Sequence, residues 1–465
     1  MAVNSAVFVK KGVNMKLTEY LKTLNKIYHV TFNPNGPSVT RIHLIPPVKV
    51  AMGISWVVLI NGQDILPITT GWAILLKEFI EQVNQYTNKA LEEKDIDILI
   101  DRTIVKVKEI FPKTKEKVLI DDLKDIIETI VDISLGVEPN IEIGYMKLKD
   151  YGKHMKAPHR MDLMISSMMK NNMWNCNQKC LHCYANTQEN AIVEELSTQQ
   201  WKEIIDKLKK ACIPQITFTG GEPTLRNDLV ELVKYSEYFV TRLNTNGVEL
   251  SLTLAKDLYD ASLDSVQITL YSNTKEIHNL LVGSDKFDKT VQGIKNAIEA
   301  KLNVSINTPL CQINKNYLET IKFASKLGVR YFTCSGIIMT GSAAKENSMN
   351  TYLSKQEILE VLKEAAKYCE DNFLELSFTS PGWIDEKVLK ELGLIIPSCG
   401  ACASNMAIAP NGEVIPCQSW LTNNSLGNIL EKSFDKIWNS KECKKIRKSS
   451  LRSDNKCLLA IKEVI

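Results

Sequence analysis

An α/β fold built on a parallel sheet is what this 465-residue sequence predicts from about residue 163 onward. Short apolar runs near Met161–Met169, Gln215–Thr219, Phe239–Leu243, Ser265–Leu270, Asn303–Asn307 and Tyr331–Thr333 read as strands. Amphipathic stretches of helical period lie between them, at Ser197–Ala211, Lys286–Ala300 and Tyr317–Leu327, with Ser197 as an N-cap. Alternation at this spacing implies consecutive right-handed βαβ units, and six strands are too few for a closed eight-stranded barrel.

The bulk numbers bound the rest. The length allows two or three domains, and 44% hydrophobic with 24% charged residues is the balance of a globular chain. A formal net charge of +3 lacks the basic excess that phosphate neutralisation requires, so no nucleic-acid role is expected. The apolar run Val50–Ile60 is too short and too glycine-interrupted to span a bilayer, so no membrane partner is expected. No charged n-region with an apolar h-region opens the chain, which predicts a cytoplasmic location. Twelve cysteines in a reducing compartment then point to metal or redox use rather than disulfides.

Cys176, Cys180 and Cys183 stand in the run Trp174-Asn-Cys-Asn-Gln-Lys-Cys-Leu-His-Cys-Tyr184. Three thiolates on one loop, without a nearby fourth, can hold three corners of a [4Fe–4S] cluster and leave one iron open. Zinc fits poorly, because structural zinc takes four protein ligands. His182 adjoins Cys183 too closely for easy joint chelation. One βα unit later, Gln215–Thr219 reads as a strand running into Gly220-Gly221-Glu222-Pro223. Glycines there let a ligand approach the backbone, and Glu222 offers an acceptor for an ammonium group.

Together these two motifs resemble the radical S-adenosylmethionine (SAM) superfamily. The resemblance implies a partial (β/α)6 barrel whose cluster presents its open iron to the amino and carboxylate groups of SAM. The Gly220, Gly221, Glu222, Pro223 run would contact the amino group. Chemistry in such barrels lies at the carboxyl ends of the strands. By position Asn244, Asn246, Ser272 and Asn307 fall there, either as turn formers or as ribose and carboxylate contacts. His182 would stack near the adenine. Val282 departs from the family, which usually carries an arginine at that place. The implied reaction passes one electron from the reduced cluster into SAM, giving methionine and a 5′-deoxyadenosyl radical that abstracts hydrogen. A flavodoxin- or ferredoxin-type donor would supply the electron.

Further on, Cys399-Gly-Ala-Cys402 precedes a hairpin signalled by Asn411-Gly412, which turns Cys417 back toward Cys402. This pattern, with Ser425–Ile429 and Phe434–Trp438, resembles the SPASM/Twitch extension of radical SAM maturases. One auxiliary [4Fe–4S] cluster is implied, with Cys402 and Cys417 as ligands and Cys399 and Cys457 as their partners. A four-cysteine zinc knuckle is the open alternative. Cys443 lies in the segment Lys441–Lys456, which holds seven Lys or Arg against two acids and reads as a solvated helix face.

Cys212 and Cys369 read as helix packing. Cys311 and Cys334 fall at strand ends, where a thiol could donate hydrogen to a substrate radical or simply fill space. In the first 150 residues, Ser55–Ile60 and Gln63–Leu66 read as a hairpin about Asn61-Gly62. Thr69 or Thr70 caps a helix through about Val83, and more helix follows near Lys94–Ile110 and Ile120–Ile133. That shape loosely resembles the winged-helix leader-recognition domains of the PqqD type. Tyr145–His159 reads as a linker. The expected division is an N-terminal α+β domain over 1–158, the barrel over 159–380 and the auxiliary cluster region over 381–465. The function expected is oxidative maturation of a ribosomally made peptide. The alternatives are oxidation of a small molecule or cofactor precursor, or an iron–sulfur sensor that does not turn over.

Overall fold

The computed structural model describes residues 15–32, 40–61, 64–86, 93–134, 137, 139–140, 155–422, 425–453 and 456–460. The chain divides into two compact units, Met1–Lys156 and Ala157–Ile465.

The first unit holds a four-stranded antiparallel meander, β1 (Tyr28–Phe32), β2 (Thr40–Ile45), β3 (Trp56–Ile60) and β4 (Asp64–Ile68), paired in that order. Three helices follow at Thr70–Gln85, Glu93–Ile110 and Glu116–Ser134. The β3–β4 pair is the expected hairpin, and Thr69 caps the first helix by accepting from Trp72 N. The sequence pattern missed β1 and β2; in β2 the buried Arg41 and His43 break the apolar alternation. Most of the expected linker, 145–154, lies outside the described residues. Its end does not read as solvated linker, since Met155, Ala157 and His159 are buried.

The second unit is built on a nine-stranded sheet. In chain order its strands are β5 (Arg160–Ser166), β8 (Gln215–Gly220), β9 (Val240–Thr245), β10 (Ser265–Thr269), β11 (Asn303–Pro309), β12 (Tyr331–Ser335), β13 (Glu375–Phe378), β14 (Asn405–Ile408) and β15 (Val414–Ile415). Two short strands between the first pair, β6 (Met169–Lys170) and β7 (Met173–Trp174), form a separate hairpin. Spatial order is β13-β12-β11-β10-β9-β8-β5-β14-β15, and every neighbouring pair except β14–β15 is parallel. This is the α/β partial barrel expected. Beyond the six predicted strands, β13 extends one edge and the β14–β15 hairpin extends the other.

Alternation along β9–β12 sorts the side chains. Leu243, Val266, Ile268, Ile306 and Phe332 are buried on one face, in apolar packing. Half-exposed Asn244, Gln267, Asn307 and Thr333 take the other and line the concave interior. There Gln267 Nε2 donates to Thr333 Oγ1 at 3.2 Å, and Thr333 Oγ1 to Asn307 Oδ1 at 3.0 Å. The helix after β5 starts as read, with Ser197 and Gln200 forming a capping box.

Candidate active site

The cysteine loop follows the β6–β7 hairpin. Asn171 and Asn172 both take positive φ, 50° and 58°, as a two-residue primed turn demands. Glu195 then anchors the loop base: its carboxylate accepts from Ser167 N and Asn175 Nδ2, both at 2.9 Å, and pairs with Lys170 and Arg226. Trp174 Nε1 donates to Gln178 O at 2.8 Å across the loop. On the far side Lys179 N and Leu181 N donate to Val282 O and Leu281 O, the end of the helix Lys275–Val282. Val282 is fully buried in that seam.

Cys176, Cys180 and Cys183 are half-buried and converge. Burial raises the Cys180 thiol well above its ordinary value, and the nearby Cys183 and Cys176 add to the rise. Burial and Glu222 push Cys176 up to about 12. Unligated thiolates here are therefore disfavoured, and iron would supply the missing positive charge. Among the described residues no three His, Cys, Asp or Glu stand close enough to share one metal ion. In a [4Fe–4S] core each thiolate binds a different iron, so its ligands stand wider apart than those of one zinc. A donor set of three separate thiols, with no fourth ligand beside them, fits the cluster.

His182 Nε2 lies 2.7 Å from Thr351 Oγ1, and that hydroxyl donates to Ser348 O. The ring therefore carries its proton on Nε2, which leaves Nδ1 as a buried acceptor without a protein partner. Burial lowers its pKa to about 4, so the imidazole is neutral and lies beside the rings of Tyr271 and Tyr352.

The glycines at the end of β8 also serve the packing of that strand. Gly220 takes φ +139°, and a Cβ there would lie 2.3 Å from Ser166 O. A Cβ on Gly221 would meet Ser167 O at 2.8 Å, and Gly221 N donates to Ser166 O. Both glycines let β8 pass against β5, where the register shifts between Met164 and Ser166.

Glu222 is 1% exposed and accepts from four donors. Its Oε1 accepts from Thr224 N at 3.0 Å, Thr224 Oγ1 at 2.6 Å and Thr245 Oγ1 at 2.6 Å. Oε2 accepts from Asn246 N at 2.8 Å, which leaves one acceptor direction on that oxygen. Burial raises its pKa, against the opposing pull of those hydrogen bonds. Pro223 opens a short 3-10 turn that Glu222 caps.

Asn246 Nδ2 donates to Asn177 Oδ1 at 2.6 Å, so the carboxylate clamp reaches the cysteine loop. Asn244 offers a buried Oδ1 without a protein partner. Ser272 Oγ accepts from Thr274 N, a turn bond that leaves its hydroxyl hydrogen available. Cys334 sits inside β12 on the apolar face with Phe332, near Tyr317 and Cys369, and so away from the polar interior. That orientation removes it as a hydrogen donor to a substrate there.

At the carboxyl-terminal site, the Asn411-Gly412 turn returns the chain so that Cys402 N donates to Pro416 O at 3.1 Å. Burial raises Cys417 to about 12, with Cys399 and Cys457 adding to the rise. Cys443, expected on a solvated helix face, is fully buried and hydrogen-bonded to Cys402. Its helix, Lys441–Arg452, turns Cys443, Ile446 and Ser450 inward and its lysines outward. A pattern dominated by charge hid that narrow apolar stripe.

The chain is similar to known proteins over both regions. The profile described as Radical SAM superfamily matches residues 175–324, and the SPASM iron–sulfur cluster-binding domain matches 399–458. The AdoMet-dependent heme synthase of Oleidesulfovibrio alaskensis is 27% identical over 300 residues, 61% of this chain and 76% of that protein. Mycofactocin maturase MftC of Mycolicibacterium smegmatis is 28% identical over 280 residues, 57% and 68% of the two chains. Among solved structures, Streptococcus suis SuiB bound to precursor peptide SuiA covers 88% of this chain and 93% of its own, with TM-score 0.59 and 15% identity. Native anSMEcpe with bound AdoMet gives TM-score 0.51 at 19% identity, over 63% of this chain and 84% of its own. No helix among the described residues is long and apolar enough to cross a membrane. The chain carries a radical SAM domain and a SPASM-type iron–sulfur domain: it is an enzyme with a [4Fe–4S] cluster and SAM as cofactors.

Proposed function

We propose that Cys176, Cys180 and Cys183 hold the SAM-binding cluster, that the carboxyl-terminal cysteines hold an auxiliary one, and that the enzyme oxidatively matures a ribosomally made peptide. When bound, the reduced SAM cluster supplies the electron that splits SAM into methionine and a 5′-deoxyadenosyl radical. The chain's own residues hold and orient. Glu222 keeps one acceptor direction for the SAM ammonium, while Asn244 and Ser272 offer an acceptor and a donor to its ribose. Asn246 and Asn307 stand at the same strand ends, their side chains largely occupied in bracing the loop and the interior. Neutral His182 presents an acceptor and a flat face to the adenine.

The observation that carries the oxidative reading is the position of Tyr184. It follows Cys183 directly, and burial, Cys183, Asp162 and Cys417 all push its hydroxyl up while Thr219 holds it by a hydrogen bond. Tyr184, Cys176 and Cys183 also pack against an apolar cluster to which Ala407, Ile415 and Leu421, of the hairpin region that delivers Cys417, belong. One partly buried aromatic residue thus stands near both Cys183 and Cys417. A substrate held beside it would have an electron acceptor at hand after hydrogen abstraction, as net oxidation needs. The peptide assignment draws on the likeness to MftC and to the SuiB fold. In the first unit, β1 and β4 end the sheet as edge strands, which suits capture of a leader peptide by strand addition.

The heme synthase likeness favours the small-molecule reading instead. Anaerobically reconstituted enzyme, reduced with dithionite and given SAM, separates the two. A short peptide encoded beside the gene should stimulate 5′-deoxyadenosine release and lose hydrogen by mass spectrometry. Stimulation by an iron porphyrin and none by the peptide would reverse the assignment. A flavodoxin or ferredoxin replacing dithionite would establish the electron donor.

A further inference from the structure

Five cysteines lie in the carboxyl-terminal region, Cys399, Cys402, Cys417, Cys443 and Cys457, one more than a four-iron cube with protein ligands at every corner can use. Their surroundings are unequal. Cys443 sits in the first turn of its helix, where Ser440 Oγ accepts from its amide at 3.2 Å and sets its height. Two turns on, the Ser450 hydroxyl donates to Cys399 O, so the same helix face reaches two segments of the cysteine site. Cys402 holds a left-handed φ of +53°, an uncommon conformation for a residue with a side chain.

Arg447 lies one turn after Cys443 and binds this assembly from the side. Its Nε donates to Cys402 O at 2.8 Å, and its Nη2 donates to Trp438 O at 2.8 Å and to Cys443 Sγ at 3.3 Å. The guanidinium carbon stands 3.3 Å from the centroid of the Trp438 ring, and that ring stacks on Phe434. Among the described residues these partners are two carbonyls, a sulfur and an aromatic face, and none is a carboxylate. A cation fixed in this way, with no neutralising acid, is matched to a centre that carries negative charge.

We propose that Cys443 is a ligand of the auxiliary cluster and that Arg447 is the positioning residue that sets its reduction potential. Cys402 and Cys417 supply two further corners, and the fourth falls to Cys399 or Cys457, both neighbours of Cys417. Reduction makes a thiolate-ligated cluster more negative by one charge. A hydrogen-bond donor and a fixed cation at a ligand sulfur stabilise that reduced form and raise the potential. The auxiliary centre is thereby tuned to accept an electron. The inference rests on the iron–sulfur reading of these cysteines and is independent of what the substrate is.

The test uses the full-length chain carrying Cys176→Ala, Cys180→Ala and Cys183→Ala, so that only the auxiliary centre remains. Iron and sulfide are counted after anaerobic reconstitution, and the potential is read by EPR-monitored redox titration. Arg447→Gln should keep about four irons and shift the midpoint to more negative potential. Arg447→Lys, which keeps the charge and loses the fork, should fall between it and the parent. Cys443→Ala should lose iron or change the EPR signal of the reduced centre. An unchanged midpoint in Arg447→Gln overturns the role of Arg447, and a full iron count with an unchanged signal in Cys443→Ala overturns the ligand. A parent variant without iron overturns both, whatever substrate the wild-type enzyme takes.

Discussion

Replacing Glu222 by glutamine changes few atoms but breaks a buried network that cannot repair itself. In the wild type, one carboxylate oxygen faces Thr224 N, Thr224 Oγ1 and Thr245 Oγ1, and the other faces Asn246 N. The threonine hydroxyls can turn from donor to acceptor, but the two backbone amides cannot. If the glutamine oxygen meets Thr224, its NH2 points at Asn246 N–H; if the amide flips, it points at Thr224 N–H. Either way one buried amide is left facing a donor, at about 1–3 kcal/mol. The surviving bonds also lose their charge assistance, which brings the total to roughly 2–4 kcal/mol. In a unit this large that corresponds to a fall in melting temperature of several degrees. Because Asn246 also braces Asn177 beside Cys176, SAM affinity and iron retention should fall with it. Thermal melts of reconstituted wild type and Glu222→Gln, with equilibrium dialysis of SAM, measure both effects. A melt within about 1 °C of wild type together with unchanged SAM binding would refute the clamp.

Gly220→Ala places a Cβ 2.3 Å from Ser166 O at a strained φ, so soluble expression or melting temperature should drop sharply, and a wild-type melt would contradict the packing role. Cys334→Ala should leave 5′-deoxyadenosine and product yields unchanged, since the thiol faces away from the polar interior; loss of product with an intact melt would restore it as a hydrogen donor. His159, His182 and His278 are each lowered by burial to about 4, so the folded chain keeps them neutral while the unfolded chain protonates them. Their contribution is present above the unfolded value of about 6.5 and is lost as pH falls from there toward 4, by up to about 3 kcal/mol for each. The urea midpoint should therefore decrease between pH 7 and pH 5, and less so in His278→Gln; equal slopes in both proteins would count against the assignment.

Local patterns decided a large part of this protein before any folding. Strand and helix period placed six barrel strands to within a few residues, and the cysteine spacing and Gly-Gly-Glu-Pro run named the chemistry, because both signals are short-range in the chain. Ser197, Thr69 and the Asn411-Gly412 turn were legible for the same reason: a cap or turn is satisfied within three or four residues. Only the tertiary structure decided what each polar group is free to do. Glu222 is a clamp because Thr245 and Asn246 arrive from the next strand, and Cys334 is removed from the chemistry because β12 turns that side chain to the apolar face. Cys443 joins the cysteine site because its helix buries one stripe of a charged segment, and Tyr184 stands near both Cys183 and Cys417, which are more than 230 positions apart. Such partners are set by strand order and side-chain direction, which depend on the packing of the whole sheet and leave no mark on the local sequence.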